Sequence, residues 1–158
     1  MRIGHGYDAH RFEENKPLVL GGVKIPYDFG LLAHSDGDVV LHALCDGLLG
    51  AIGRGDIGQH FPDNKNEYAN IDSRILLRNV WALVANLGYE IGNIDLTIIA
   101  QEPKLSAHLA KMSDLIAEDL NCDQSQVNIK ATTTEGMGFA GRKEGIETHA
   151  VLLIKRKA

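Results

Sequence analysis

Apolar positions recur along the chain with two different periods, and the switches between the periods mark out the elements. Residues 2–10 alternate around Ile3 and Tyr7 with polar residues between, the period-two signature of a strand. Residues 17–27, PLVLGGVKIPY, set two short apolar runs on either side of Gly21-Gly22 and predict a hairpin. SDGDVVLHALCDGLLGAIG then becomes almost wholly apolar and predicts the first helix, with Ser35 as N-cap and Asp38 three residues on in a capping-box arrangement. A second helix is predicted from Asp72 to Leu87, with Leu76, Val80, Leu83, Val84 and Leu87 on one face and Gly88 ending it. NIDLTIIAQ, residues 93–101, predicts a strand, and a third helix from Ser106 buries Leu109, Met112, Leu115, Ile116 and Leu120. Strands at 126–133 and 146–156, separated by a Gly-rich loop, complete the pattern. The order β-ββ-α-α-β-α-β-β predicts an α/β (α+β) sandwich, one mixed sheet covered by helices. Between the first two helices, residues 53–70 (GRGDIGQHFPDNKNEYAN) read as a polar loop of a length that is often functional.

Composition narrows the class. A chain of 158 residues, 44% hydrophobic and 23% charged, fits one globular domain over residues 1–158. A domain of that size buries roughly 70% of its unfolded surface and needs no staples. The net charge of -5 and the absence of a dense Lys/Arg cluster argue against a nucleic-acid partner. An anionic ligand would need local cations or a metal. No window approaches 18 apolar residues and no apolar run near the start predicts a signal peptide, so no membrane partner and a cytoplasmic location are expected. Cys45 and Cys122 form no CxxC pair and read as reduced thiols.

The first strand carries unusual chemistry. In HGYDAH, Asp8 and His10 are two residues apart and share a strand face, whereas His5 lies on the other. A carboxylate and an imidazole so placed can grip one divalent metal, and a four-coordinate zinc needs at least one more ligand. The first helix offers it: Asp38, His42 and Asp46 interrupt an apolar helix at i, i+4 and i+8. His42 would complete a His2Asp set, with Asp46 or Asp38 orienting an imidazole from behind. Cys45 is a less favoured soft ligand, since on the helical wheel it points away from Asp46. The plain alternative is a chance D-x-H and a satisfied core histidine.

Other stretches suit phosphates. KATTTEGMGFAGR contains a literal G-x-G-x-x-G at Gly136, Gly138 and Gly141, but no helix follows it, so a dinucleotide fingerprint is rejected. Thr132, Thr133 and Thr134 supply hydroxyls, Glu135 a hard carboxylate and Arg142 a guanidinium, all fit for phosphate oxygens or magnesium, although a Thr run also simply favours strands. AHSDGD puts His34 and Ser35 at a helix start, where backbone N–H groups favour anions. GDIGQHFPD adds Asp56, Gly58 and Asp63, or is an ordinary solvated loop.

Taken together, RIGHGYDAH, LGGVKIPYDFGLLAHSDGDVVLHALCDGLLGA, GDIGQHFPD, IDSRILLR, GYEIGNIDLTIIAQEPK, VNIKATTTE and GFAGRKEGI resemble the 2-C-methyl-D-erythritol 2,4-cyclodiphosphate synthases over essentially the whole chain. The order DxH, AHSDGD, KATTTE and GFxGR is specific where no single motif is. The resemblance implies a phosphorus-oxygen lyase of non-mevalonate isoprenoid biosynthesis. The 2-phosphate of 4-diphosphocytidyl-2-C-methyl-D-erythritol 2-phosphate attacks its own β-phosphate and releases CMP. A metal-dependent phosphohydrolase on the same ligands is the alternative.

The resemblance also implies roles. Zinc falls on Asp8, His10 and His42, and magnesium or manganese on Glu135 with the substrate phosphates. His34 and Thr133 stabilise the transition state. Ala9 and Ser35 belong to the substrate site beside the ligands. Asp56, Ile57 and Gly58 meet the ribose; Phe61, Pro62, Asp63, Asn64 and Lys65 meet the methylerythritol phosphate end. Ala100, Gln101, Glu102, Pro103, Lys104, Leu105 and Ser106 form the cytosine pocket. Thr132, Thr133, Thr134 and Glu135 lie beside the phosphates, and Phe139 and Arg142 complete the 2-phosphate region. A homotrimer with active sites at subunit interfaces is implied. Glu102, Leu105-Ser106, Asn64-Lys65 and Gly136 depart from the expected pattern.

Overall fold

The computed structural model describes residues 1–158. Its sheet has five strands in the order β4-β1-β7-β5-β6. They are β1 (Arg2–Glu14), β4 (Phe29–Leu31), β5 (Tyr89–Ile99), β6 (Val127–Thr132) and β7 (Gly145–Arg156). β7 pairs antiparallel with both β1 and β5, and β5 pairs parallel with β6. The sheet is therefore mixed, as the sequence predicts. The predicted hairpin forms, β2 (Leu18–Leu20) antiparallel to β3 (Val23–Ile25), but it is a separate two-stranded sheet and not part of the main one, and an unpredicted strand, β4, joins the main sheet beside β1. The main helices are α1 (Val39–Ala51), α3 (Ser73–Asn86) and α4 (Leu109–Asp119). One-turn helices, α2 (Ile57–His60) and α5 (Gly138–Gly141), sit inside the two stretches predicted as loops.

The helices pack on one face of the sheet. Ile94, Leu96 and Ile98 of β5, with Ala150, Leu152 and Ile154 of β7, are buried against them. α1 is buried nearly all round, as its composition demands. The inner face of α3 is turned relative to prediction: Leu76, Leu77, Val80 and Val84 are buried, but Leu83 and Leu87 are exposed. α4 starts at Leu109 after a 3-10 turn over Ser106–His108.

β1 has almost no side chains between it and α1. A Cβ on Gly6 would lie 1.8 Å from the Ala43 carbonyl oxygen, and one on Gly4 2.0 Å from that of Gly47. The strand thus lies directly against the helix backbone, and the helix runs antiparallel to it. The apolar side of the β1 alternation, Ile3 and Tyr7, consequently faces away from the helices and is exposed.

Replacing Gly6 by Ala forces the helix and strand apart, because the obstructing atoms are backbone. A loss of at least ~2 kcal/mol is expected, as for overpacking elsewhere. It is read as a lowered denaturation midpoint; an unchanged midpoint would refute the close contact.

Candidate metal centre and substrate cavities

The close contact brings His42, in the first turn of α1, over the end of β1 that carries Asp8 and His10. Asp8 Oδ2 lies 2.8 Å from His10 Nε2 and 3.2 Å from His42 Nδ1. The two imidazole nitrogens are themselves 3.2 Å apart. Ligands around a tetrahedral zinc with bonds of about 2.0–2.1 Å are about 3.3 Å apart, so this donor set fits such an ion. The three groups form the one His/Cys/Asp/Glu cluster with donor atoms close enough to share a metal.

Electrostatics suit the same use. Burial opposes ionisation of Asp8, but hydrogen bonds from His10 and His42 prevail and hold its carboxyl at about 2. Burial works against a charge on His42 too, yet the adjacent Asp8 carboxylate raises the ring above its ordinary value. Cys45 is fully buried, and desolvation drives its thiol well above the usual range; it is a core residue and not a ligand.

The polar stripe on α1 serves other purposes than expected. Asp38, not Ser35, caps the helix, accepting from Leu41 N at 3.0 Å. It also accepts from Gly21 N at 2.9 Å and Gly22 N at 2.7 Å, tying the β2–β3 turn to the helix start. Burial and the nearby Asp36 push its carboxyl up to about 6 despite these bonds. Asp46 does not orient an imidazole: its Oδ1 accepts from Ile57 N at 2.8 Å and moors α2. The far side of His42 instead meets two hydroxyls, Ser73 Oγ at 2.9 Å and Ser35 Oγ at 3.1 Å. Neither Ser73 nor Asp36, which accepts from Ser73 Oγ at 2.5 Å, was nominated from sequence. The available signal was a serine at the first position of a predicted helix, where burial needs a reason.

The residues that the resemblance assigns to substrate divide between two cavities. One, of about 200 Å³, joins Asp8, His10 and His42 to His34, Ser35, Ile57, Gly58, Phe61 and Asp63, together with the unpredicted Tyr68. The other, of about 180 Å³, is lined by Ala100, Gln101, Pro103, Lys104, Leu105 and Ser106 with Thr132 and Thr133. β1, β5 and β6 run in the same direction, so both cavities open at one end of the sheet, but three strand spacings, roughly 14 Å, lie between β1 and β6. Asp56, Asn64 and Lys65 are exposed near the first cavity; Thr134 and Glu135 follow β6 near the second.

A family model described as the YgbB family matches residues 1–155. The chain belongs to the YgbB family. The 2-C-methyl-D-erythritol 2,4-cyclodiphosphate synthase of Azotobacter vinelandii is 61% identical to it over 154 residues, which cover 98% of each chain. Among solved structures, the bifunctional IspDF from Campylobacter jejuni superposes with a TM-score of 0.95 at 45% identity; the match covers 99% of this chain and 42% of that one. IspF of Plasmodium falciparum, described as a CDP complex, gives 0.87 at 42% identity, covering 99% and 97% of the two chains.

Two of the departures from the expected pattern sit in distinct local settings. Glu102 lines neither substrate cavity; it pairs with Lys143 at 2.9 Å on the rim of a separate 630 Å³ hollow. Gly136 has φ +79°, a conformation that glycine holds without strain, and its N–H donates to Gln101 Oε1 at 3.1 Å. Arg142 pairs with Glu144 at 2.7 Å, and Phe139 is partly exposed nearby.

Metal affinity is expected to depend on pH through His42. Asp8 stays ionised down to about 2, so it is not the limiting ligand. The raised His42 takes up a proton above the ordinary imidazole value of 6.5, and each such proton competes with the ion. Zinc affinity should fall roughly tenfold per pH unit as pH drops below that range. Competition titrations from about pH 8 to about pH 5.5 read this directly; a flat profile contradicts it.

Proposed function

We propose that this chain converts 4-diphosphocytidyl-2-C-methyl-D-erythritol 2-phosphate to 2-C-methyl-D-erythritol 2,4-cyclodiphosphate and CMP. A 2-phosphate oxygen bonds to the β-phosphorus as the bond from that phosphorus to the α–β bridging oxygen breaks. CMP departs with that oxygen and the electron pair. The attacking group belongs to the substrate, so positioning and charge neutralisation do the catalytic work. The observation that carries the reading is the convergence of Asp8, His10 and His42 in the cavity that His34 and the 57–63 segment line.

Asp8, His10 and His42 would hold a zinc-type ion and Glu135 a magnesium or manganese ion with the substrate phosphates, supplying neutralisation of the diphosphate charge. His34 Nε2 donates to the Lys65 carbonyl at 3.1 Å, which steadies the ring proposed to stabilise the transition state. Thr133, the partner proposed for it, belongs to the second cavity, whose Ala100–Ser106 rim is the proposed cytosine pocket. A cytidine ligand is supported by the solved relatives described as CDP complexes. Asp56–Gly58 are assigned to the ribose and Phe61–Lys65 to the methylerythritol phosphate end. Thr134, Phe139 and Arg142 are assigned to the phosphates.

The proposed working unit is a homotrimer. The two half-sites occupy different flanks of one chain, so a neighbour's second cavity can meet this chain's first through a head-to-tail contact. Such a contact generates a ring where its rotation closes. The helix-free sheet face, with Ile3 72%, Val151 46% and Tyr7 44% exposed, offers the apolar surface an assembly would cover. No helix is long and apolar enough to cross a membrane.

Incubation with the cytidyl substrate, Mg2+ and Zn2+, read by mass, should yield CMP and the cyclic diphosphate without inorganic phosphate. Phosphate release would instead indicate the hydrolase. Asp8→Ala should abolish turnover. Shared sites add a second expectation: co-refolding equimolar Asp8→Ala and Thr133→Ala chains should restore about a quarter of the wild-type sites, one subunit supplying each intact half. Failure to exceed either variant alone would exclude sites built across subunits.

A further inference from the structure

We propose that Asp36, acting through Ser73, fixes which nitrogen of His42 carries its proton, and so keeps Nδ1 free to bind the metal. This rests on the reading of Asp8, His10 and His42 as a metal clamp, and it assigns Asp36 and Ser73 as positioning residues.

The argument is a donor count. His42 Nδ1 faces Asp8 Oδ2 and His10 Nε2, so the clamp needs a lone pair there. A neutral imidazole has one N–H and one lone pair, and the proton must then sit on Nε2. His42 Nε2 faces the hydroxyls of Ser73 and Ser35. A hydroxyl can donate or accept, so by itself it selects neither tautomer.

Asp36 removes that freedom. Its carboxylate has only acceptors, and Ser73 Oγ lies 2.5 Å from Oδ1. The Ser73 hydroxyl proton is therefore committed to Asp36. Its oxygen can only accept from His42, which requires Nε2–H. Ser35 Oγ accepts from Gly37 N at 3.3 Å and keeps a second lone pair for Nε2–H, so it is compatible with that tautomer without selecting it.

The carboxylate is itself pinned on both oxygens. Oδ2 accepts from Ser73 N at 3.0 Å and Oδ1 from Asp38 N at 3.0 Å. The backbone around it is tied by Asp36 N to Ile71 O at 3.2 Å. Ser73 is fully buried, so bulk solvent does not compete for its hydroxyl. The chain Asp36–Ser73–His42 thus lengthens by one hydroxyl the carboxylate–histidine arrangement common behind metal ligands.

Asp36→Asn tests this with little change of shape. An amide nitrogen at the Oδ1 position would donate to Ser73, turn its hydroxyl toward His42 Nε2 and move the imidazole proton to Nδ1, against the metal. It would there oppose the Asp38 N–H, as at the Oδ2 position it would oppose the Ser73 N–H, so the amide loses one backbone hydrogen bond in either orientation. The tautomer is read in metal-free protein by long-range 1H–15N correlation of the imidazoles at alkaline pH, where the ring is neutral. Affinity for Zn2+ alone is read by chelator competition.

In the metal-free ring Asp8 draws the proton toward Nδ1 and the Asp36–Ser73 pair draws it toward Nε2, so wild type should show a larger Nε2–H fraction than either variant. Asp36→Asn should shift His42 toward Nδ1–H and weaken Zn2+ binding roughly 10–100-fold. Ser73→Ala, which removes the accepting oxygen, should give mixed tautomers and a similar loss. A folded Asp36→Asn protein with unchanged tautomer and affinity overturns the proposal. If that variant does not fold, Ser73→Ala with wild-type tautomer and affinity overturns it equally. If wild type binds no Zn2+ while the tautomer still switches on Asp36→Asn, the clamp reading fails and the Asp36–Ser73 control stands.

Discussion

The approach of β1 to α1 sets the distances in the site. Gly4 and Gly6 leave the strand bare, and Ala43 and Gly47 leave the helix nearly so, so two backbones meet where side chains would normally intervene. Glycine inside a strand or helix costs about 0.5–1 kcal/mol relative to alanine. The gain is proximity: a helix held at ordinary distance would leave His42 out of reach of Asp8 and His10. The bare seam and the Asp8–His10–His42 cluster are two parts of one arrangement, since the residues that follow Gly4 and Gly6 on the same strand face are Asp8 and His10.

α1 then acts as a mooring post. Its otherwise apolar surface carries three polar side chains, and each holds a different segment. Asp38 takes the β2–β3 turn, His42 reaches β1 and the start of α3, and Asp46 takes α2. Buried polar groups without partners would be costly, so each one specifies where its segment must lie. The long connection between α1 and α3 is thereby held at both of its ends. His34 and Asp36, before α1, bond to residues 70–71 and to Ser73 and close the ring around the cavity.

Much of this was legible in the residues. Strand periodicity separated His5 from Asp8 and His10, and three polar interruptions of an apolar helix singled out His42. Those inferences work because side-chain direction follows directly from local geometry. What stands behind His42 was not legible. Asp46 and Ser73 are equally polar on paper, and only the turn of α3 toward α1 decides that a hydroxyl thirty-one positions away, not a carboxylate one turn away, meets the ring. The cap of α1 was misplaced for the same reason: Ser35 looks like a cap until its hydroxyl is seen spent on His42. The face of α3 slipped because Leu77 and Leu83 lie at the edges of its apolar stripe, and tertiary packing chooses between them.

The position of β7 has a consequence for how the chain is made. It lies between β1 and β5 and pairs with both along nearly its whole length, yet it follows both in sequence. During synthesis from the N-terminal end, the clamp residues and their serine support all emerge before the strand that joins the two halves of the sheet. Until residue 156 is out, β1 and β5 have no neighbour in common and the apolar face of the sheet has no centre. Contacts of such long sequence separation are slow to form. The nascent chain therefore carries the side chains of its candidate metal centre well before it has a fold to hold them in.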